Sequence, residues 1–171
     1  MLLSVDNAVL RQKIAVRIAV RNEFFNRFGS LRVPLAVDFF AGEGTIAQAF
    51  WSQVAQRVEC VDMDGEKLRS IQKPNIATHC GDNTRLLHLA DDAQVIDCDA
   101  YGLVLPFIKL LLARKARSQT LIFFTDGTPK VQKKRGGLQE FDAQIESLGA
   151  SEFHFEKSHQ SNVLYGWLWF E

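Results

Sequence analysis

The chain has 171 residues, of which 47% are apolar, so a single domain with one sizeable core is expected. Glycine and proline together account for 15 residues, which is ordinary for a globular protein. No apolar run approaches the roughly 18 residues of a membrane span, and the first residues lack the pattern of a secretory signal.

The formal net charge is zero, but the charges are segregated along the chain. Residues 1–34 and 104–137 carry +4 and +7, whereas residues 35–103 and 138–171 carry −6 and −5. The first acidic block contains the candidate ligand loops and is flanked by basic blocks. This arrangement permits a phosphate-bearing partner without requiring one.

Three cysteines, Cys60, Cys80 and Cys98, each lie in a strand-like segment. They lack the short paired spacing of a zinc site, so no metal is expected. We interpret all three as buried small apolar residues of a protein in a reducing cytoplasm.

The predicted elements begin with an amphipathic helix at about residues 5–28, because five apolar residues fall on one narrow helical stripe. These are Leu10, Ile14, Ile18, Phe25 and Phe28. Strands and helices then alternate. Strands are predicted at 35–38, 57–62, 76–80, 94–98 and 120–124, and helices at 45–53, from about 66, near 83–89, near 105–115 and near 138–148. Apolar strands that alternate with helices favour an α/β fold with a parallel sheet covered on both faces.

The C-terminus breaks this alternation. Residues 151–156 and 163–170 form two strand patterns joined by a short polar segment, so they are predicted to pair as a hairpin with an antiparallel last strand. The expected architecture is therefore a Rossmann-like, seven-stranded, mainly parallel sheet with helices on both faces.

The most informative segment is the run from Val37 to Gly44, which combines a buried strand, the carboxylate of Asp38 and a glycine turn before a helix. Such a turn lets a ligand lie against bare backbone N–H groups. Asp38 and Glu43 would repel a pyrophosphate and attract a ligand with an amine and a sulfonium centre, which predicts S-adenosylmethionine (SAM). The glycine spacing also fits a dinucleotide site, and that alternative stays open.

Acidic and amide side chains follow the next strands at positions where ligands of open parallel sheets bind. Asp62 can accept both hydroxyl groups of a ribose, and Met63 can lie on an adenine ring. Asp82 or Asn83 can accept hydrogen bonds from an adenine amino group. An aspartate after a strand is also a common turn former or helix cap, so this alternative remains for Asp62 and Asp82.

The segment Asp38–Gly44 resembles the first motif of class I SAM-dependent methyltransferases, and Val61–Asp64 and Gly81–Asp82 resemble the second and third. The resemblance covers about residues 35–126, and we expect a methyltransferase domain at 35–171 on which the N-terminal helix within residues 1–34 packs. The cofactor-binding residues it implies are Asp38, Phe40, Ala41, Gly42, Gly44, Asp62, Met63, Asp82 and Asn83.

The fourth segment, Asp97–Gly102, is similar to the Asp-x-Asp-Pro-Phe/Tyr-Gly motif of tRNA guanine N2-dimethyltransferases, with Ala100 in place of the proline. This resemblance implies methylation of an exocyclic amine of a nucleic-acid base, with RNA favoured over DNA. In that role Asp99 would hold the amine N–H and Tyr101 would stack on the base.

Four cations after the fifth strand, Lys130, Lys133, Lys134 and Arg135, are interpreted as phosphate-binding residues or as a solvated loop. A partner subunit or a second copy of the chain is a further expectation for substrate recognition. Two alternatives remain for the function: a methyltransferase acting on a small molecule or a protein, and a SAM-binding module without catalysis.

Overall fold

The computed structural model describes residues 8–28, 32–100, 102, 104–114, 119–126, 137–157 and 164–171. Its centre is one seven-stranded sheet in the order β3-β2-β1-β4-β5-β7-β6, in which only β7 runs antiparallel to its neighbours. The strands are β1 Val33–Phe39, β2 Ala55–Asp62, β3 Ile76–Cys80, β4 Val95–Asp99, β5 Thr120–Asp126, β6 Glu152–Lys157 and β7 Leu164–Phe170. The predicted sheet, including its reversed last strand, is confirmed.

The helices are α1 Ala8–Phe28, α2 Ser52–Val54, α3 Gly65–Leu68, α4 Leu105–Arg114 and α5 Gly137–Glu146. Two predicted helices differ from what the sequence indicated. The helix after β1 contains a π-helical segment, Ala47–Trp51, before α2. The helix predicted near 83–89 is a turn followed by a single 3₁₀ turn, Leu87–Ala90.

The two faces of the sheet carry two separate apolar cores. On the first face, α1 and the π-helical segment pack on the middle strands, with Val20, Phe25 and Trp51 buried. On the second face, α4 and α5 contribute Ile108 and Ile145, both fully buried. The register of β1, β4 and β5 aligns Asp38 with Asp97, and Asp97 with Phe123. Because partners in register point to the same side, these three side chains belong to the first face.

Helix α1 presents only part of the predicted stripe to the sheet. Ile18 is 45% exposed, whereas Arg17 is only 2% exposed, beside the buried Val20 and Phe25. Phe25 of the predicted stripe is buried as expected, but Arg17 takes a buried position because it has a carboxylate partner inside, so the apolar pattern alone predicted the buried face only in part. The division of the chain into segments 1–34 and 35–171 stays a prediction.

The cysteine prediction is confirmed for Cys60 and Cys98, which are buried, and is wrong for Cys80, which is exposed. Cys80 ends β3, an edge strand beside the four-residue helix α3, so little covers it. Within the described ranges, no helix is long and apolar enough to cross a bilayer, and no three potential metal ligands form a group.

Candidate ligand site at the strand tips

The bend after β1 is built from left-handed backbone. Phe40, Gly42 and Gly44 have φ values of 65°, 55° and 63°. Glycine adopts this conformation without steric cost, but a phenylalanine rarely does. The ring of Phe40 packs edge-on against Phe107, with centroids 5.0 Å apart, which anchors the strained residue to the second-face core. Phe40 was predicted to bind the cofactor, and its ring lies in this contact.

The backbone N–H groups of the bend are not bare, contrary to expectation. Ala41 N–H donates to the Val61 carbonyl at 3.0 Å, and Gly44 N–H donates to the Ala41 carbonyl at 2.8 Å. Gly42 N–H donates to Asp62 Oδ2 at 2.8 Å. Because a phosphate-binding loop needs free N–H donors, the use of these three groups inside the protein disfavours the dinucleotide alternative.

The two glycines of the bend have different surroundings. A Cβ atom on Gly44 would lie 2.6 Å from Cγ1 of Ile71, whereas one on Gly42 would meet nothing within 4 Å. A side chain at Gly44 would therefore have to displace Ile71, whereas Gly42 leaves open space on the outer side of the bend.

Asp38 is a buried carboxyl group beneath this bend. It is 2% exposed, and no hydrogen bond to its side chain is seen among the described residues. Burial raises the pKa of Asp38 well above its ordinary value, and the negative charges of Asp97 and Asp99 raise it further, against an opposing effect of Arg17. Because no hydrogen bond to its side chain is seen among the described residues, a cationic ligand group could donate one to this buried carboxyl group.

Asp62 is the last residue of β2, beside the bend, and Met63 follows it. The two oxygens of Asp62 accept from Gly42 N–H at 2.8 Å and from Asp64 N–H at 2.9 Å. Each oxygen retains a further lone pair, so the carboxylate can still accept hydroxyl groups. The side chain of Met63 is 72% exposed, so it offers an apolar surface to solvent or to a ligand. The nearby helix cap is Asp64, which accepts from Glu66 N–H and Lys67 N–H.

Asp82 and Asn83 follow β3. Asp82 Oδ1 accepts from the backbone N–H and the hydroxyl of Thr84, at 2.8 and 2.7 Å, and these bonds lower the pKa of Asp82. The turn-forming interpretation of Asp82 therefore applies, with Oδ2 left over. Asn83 is 6% exposed, and its buried Oδ1 has no hydrogen-bond partner among the described atoms.

Asp97, near the end of β4, anchors three elements. Arg17 of α1 grips it with Nε and Nη2, 2.7 and 2.6 Å from the two carboxylate oxygens. Trp51 of the π-helical segment donates from Nε1 to Oδ2 at 2.8 Å. The guanidinium also lies 5.4 Å from the ring centroid of Phe123. This network is buried, with side chains of Arg17 and Asp97 2% and 0% exposed.

Asp99, the predicted catalytic carboxylate, lies two residues further along β4. Lys13 Nζ of α1 holds its two oxygens at 2.6 and 2.8 Å, in a pair that is partly exposed. Thr125 is the partner of Asp99 in register on β5, and its buried hydroxyl has no hydrogen-bond partner in the described part of the chain. Tyr101 lies outside the described residues, as do Lys130, Lys133, Lys134 and Arg135.

The structure thus brings Asp38, Asp62 and Asp99 to neighbouring strand tips and adds Lys13, Arg17 and Trp51, which the sequence did not single out as site residues. The spacing of charged residues in the sequence could have indicated the two α1 residues. Lys13 and Arg17 are four apart on a helix and Asp97 and Asp99 two apart on a strand, which correspond to rises of about 6 and about 6.6 Å. The two pairs therefore match in length.

Comparisons with known proteins identify the architecture. No protein-family model matches the sequence, and no curated protein sequence is similar to it. Among solved structures, the plantazolicin methyltransferase BamL in complex with SAH aligns with a TM-score of 0.63 at 13% identity, over 88% of this chain and 83% of that one. An rRNA methylase from Streptococcus thermophilus aligns with a TM-score of 0.60 at 14% identity, over 90% and 95% of the two chains.

A third similar structure, precorrin-6y C5,15-methyltransferase from Geobacter metallireducens, aligns with a TM-score of 0.58 at 15% identity, over 90% and 88% of the two chains. These names cover very different substrates, so the likeness is one of fold. The chain has the Rossmann-like fold of class I SAM-dependent methyltransferases.

Proposed function

We propose that this protein is a SAM-dependent methyltransferase. The observation that carries the proposal is Asp38, a buried carboxyl group without a hydrogen bond from the described residues, beside a left-handed bend. A cationic ligand group offers what this carboxyl group lacks. The same bend disfavours a pyrophosphate, because three of its N–H groups are already used.

The remaining predicted cofactor residues suit the other parts of SAM. Asp62 would accept the ribose hydroxyls, and the exposed Met63 would lie against the adenine ring. The unpartnered Oδ1 of Asn83 would accept a hydrogen bond from the adenine amino group, together with the free oxygen of Asp82.

The acceptor we propose is an exocyclic amine of a nucleic-acid base, guanine N2 in RNA before any site in DNA. SAM supplies a methyl group on a sulfonium centre, and its transfer to a nitrogen leaves the neutral thioether S-adenosylhomocysteine (SAH). Asp99 would accept the N–H of the amine, orient its lone pair, and take the proton that the nitrogen loses before passing it to water. Tyr101 would stack on the base.

The test combines binding and transfer. Calorimetry should show that SAH binds the wild type and that Asp38→Asn binds it at least about tenfold more weakly, the loss expected for one hydrogen bond to a charged group. The matched control is Asp92→Asn, because Asp92 is exposed and precedes β4, at the end of that strand opposite the proposed site. Absence of SAH binding to the wild type would overturn the proposal.

Methyl transfer from labelled SAM to tRNA, rRNA fragments and DNA then tests the acceptor. Transfer to RNA that stops in Asp99→Asn supports the proposed amine chemistry. Transfer to none of these, with SAH binding intact, would favour the small-molecule or protein acceptors, or the module without catalysis.

A further inference from the structure

The ion pair between Lys13 and Asp99 occupies the point at which the acceptor amine would bind. The inference drawn from it rests on the proposed function. We propose that Lys13 is a built-in occupant of the acceptor site: its ammonium group holds Asp99 while no acceptor is bound, and the acceptor displaces it.

The two ion pairs of α1 differ in burial and geometry. Arg17–Asp97 is completely buried, two-pronged and reinforced by Trp51, so it anchors the helix. Lys13–Asp99 lies one helical turn away, with side chains 16% and 19% exposed and a single donor atom. Because the Lys13–Asp99 pair keeps some contact with solvent and lacks a second donor group, it can be opened at a lower cost than Arg17–Asp97, which continues to anchor the helix.

Thr125 carries an unpartnered hydroxyl group beside the Lys13–Asp99 ion pair. It is in register with Asp99, so both side chains point to the first face at neighbouring strand tips. Thr125 is 3% exposed, and its oxygen makes no hydrogen bond within the described part of the chain. A buried polar group without a partner is unfavourable, and a ligand bound to Asp99 would lie at the neighbouring strand tip, where it could supply that partner.

The geometry of the Lys13–Asp99 pair also restricts which ligand can replace Lys13. Lys13 satisfies both oxygens of Asp99, so a ligand that displaces it must offer two adjacent N–H donors to lose nothing. The N1–H and the N2 amino group of guanine form such an edge. Adenine and cytosine each place an unprotonated ring nitrogen beside their amino group, and that nitrogen would face a carboxylate oxygen. Displacing Lys13 from Asp99 would thus cost less for guanine than for adenine or cytosine.

The experiment measures guanosine binding in the presence of saturating SAH, by calorimetry, for the wild type and Lys13→Met. We expect Lys13→Met to bind guanosine about twofold to fivefold more tightly, because the ligand no longer displaces a partly exposed ion pair. Adenosine should gain less. The matched control is Lys109→Met, since Lys109 is exposed on α4 against the other face of the sheet, and it should bind as the wild type does.

A second readout uses the wild type and does not depend on any variant folding. Lys13 is acetylated with an amine-selective reagent and the rate is followed by mass spectrometry. Guanosine together with SAH should release Lys13 and accelerate its acetylation severalfold, without changing that of Lys109. Asp99→Asn should accelerate acetylation of Lys13 without any ligand.

The outcomes separate this inference from the proposed function. If SAH does not bind, the proposed function and this inference both fail. If SAH binds but guanosine does not bind to either protein, the acceptor site assigned to Asp99 is wrong. If guanosine binds and Lys13→Met weakens its binding or leaves it unchanged, or if ligands leave acetylation of Lys13 unchanged, Lys13 is not an occupant of the site.

Discussion

At the scale of single residues, Asp38 links ligand binding to pH. In the unfolded chain its carboxyl group ionises in the ordinary range, whereas burial and the nearby Asp97 and Asp99 raise its pKa in the folded protein. The folded state therefore binds a proton that the unfolded state has released between those two pKa values. The free energy of unfolding must fall as pH rises through this window.

Asp38→Asn removes this titration. In urea denaturation at about pH 5 and about pH 8, we expect the variant to lose less stability between the two conditions than the wild type does. SAM affinity of the wild type should rise with pH over the same interval, since the cation favours the ionised carboxylate. Equal losses of stability in the two proteins would show that Asp38 is not the group that titrates.

Gly42 and Gly44 provide a second residue-scale prediction, because they share a conformation and differ in surroundings. Gly42→Ala should cost about 1–2 kcal/mol, the penalty for an L-residue in left-handed backbone. Gly44→Ala should cost about 1–3 kcal/mol more, because the methyl group also overlaps Ile71. Urea denaturation measures both. Similar losses in the two variants would contradict the packing difference.

SAH binding by the same two variants adds a second measurement. Gly42→Ala should weaken SAH binding while the protein stays folded, since the added methyl group projects into the open space beside the bend. An unchanged SAH affinity would mean that the ligand does not approach this side of the bend.

The carboxylates at the strand tips could be predicted from sequence because each follows an apolar strand pattern, as Asp38 and Asp62 do. The partners of those carboxylates could not. Arg17 lies in a helix whose apolar residues suggested a different buried face, and only the fold places it over Asp97. Likewise, the internal hydrogen bonds of the bend depend on how β1 and β2 align, which local sequence does not specify.

At the scale of elements, α1 is held to the sheet by charge as well as by apolar contacts. Arg17→Met would leave the carboxylate of Asp97 fully buried without its counter-ion. Removing one partner of such a pair typically costs about 3–5 kcal/mol, so we expect a loss of this size in urea denaturation.

The double variant Arg17→Met/Asp97→Asn distinguishes a lost charge pair from lost packing. The amide oxygen of asparagine can still accept from Trp51 Nε1, and no unpaired charge remains. We expect the double variant to be more stable than Arg17→Met, and the exposed Lys109→Met to change stability by less than about 0.5 kcal/mol. A double variant as unstable as the single one would mean that Arg17 stabilises α1 through packing.

Element types were predictable where a strong pattern exists, as in β5, whose interior is entirely apolar. The π-helical segment Ala47–Trp51 was not, because its sequence is compatible with an ordinary helix. Its effect is visible only in three dimensions, where it delivers Trp51 Nε1 to Asp97. Such segments are frequent at functional sites, which is consistent with its place one turn after the bend.

At the scale of the whole molecule, charges that are separated along the sequence pair with one another in the fold. The acidic block 35–103 contains the carboxylates of the strand tips, and the basic block 1–34 supplies two of their counter-ions through α1. Under the proposed function, Asp38 is left for the cationic group of the ligand and Asp62 for its hydroxyl groups. The second basic block, 104–137, contains the cations after β5, for which phosphate binding and a solvated loop both stay predictions.

That prediction is testable through salt. Replacing Lys130, Lys133, Lys134 and Arg135 together with glutamine should weaken RNA binding and flatten its dependence on salt. Each lost phosphate contact reduces the slope of log affinity against log salt by about 0.7 for a single strand. SAH affinity should not change, because the cofactor residues we propose lie at the ends of β1, β2 and β3. Filter binding of tRNA across a salt series gives the slope.

The control for this prediction is the pair Lys73→Gln/Lys109→Gln. Both lysines are exposed. Lys73 precedes β3, at the end of that strand opposite the strand tips, and Lys109 lies on α4. If the control flattens the slope as much as the fourfold replacement does, RNA is attracted by overall charge and not by a surface beside β5. If neither changes it while SAH still binds, the cations after β5 form a solvated loop, and the acceptor has to be sought among uncharged small molecules or proteins.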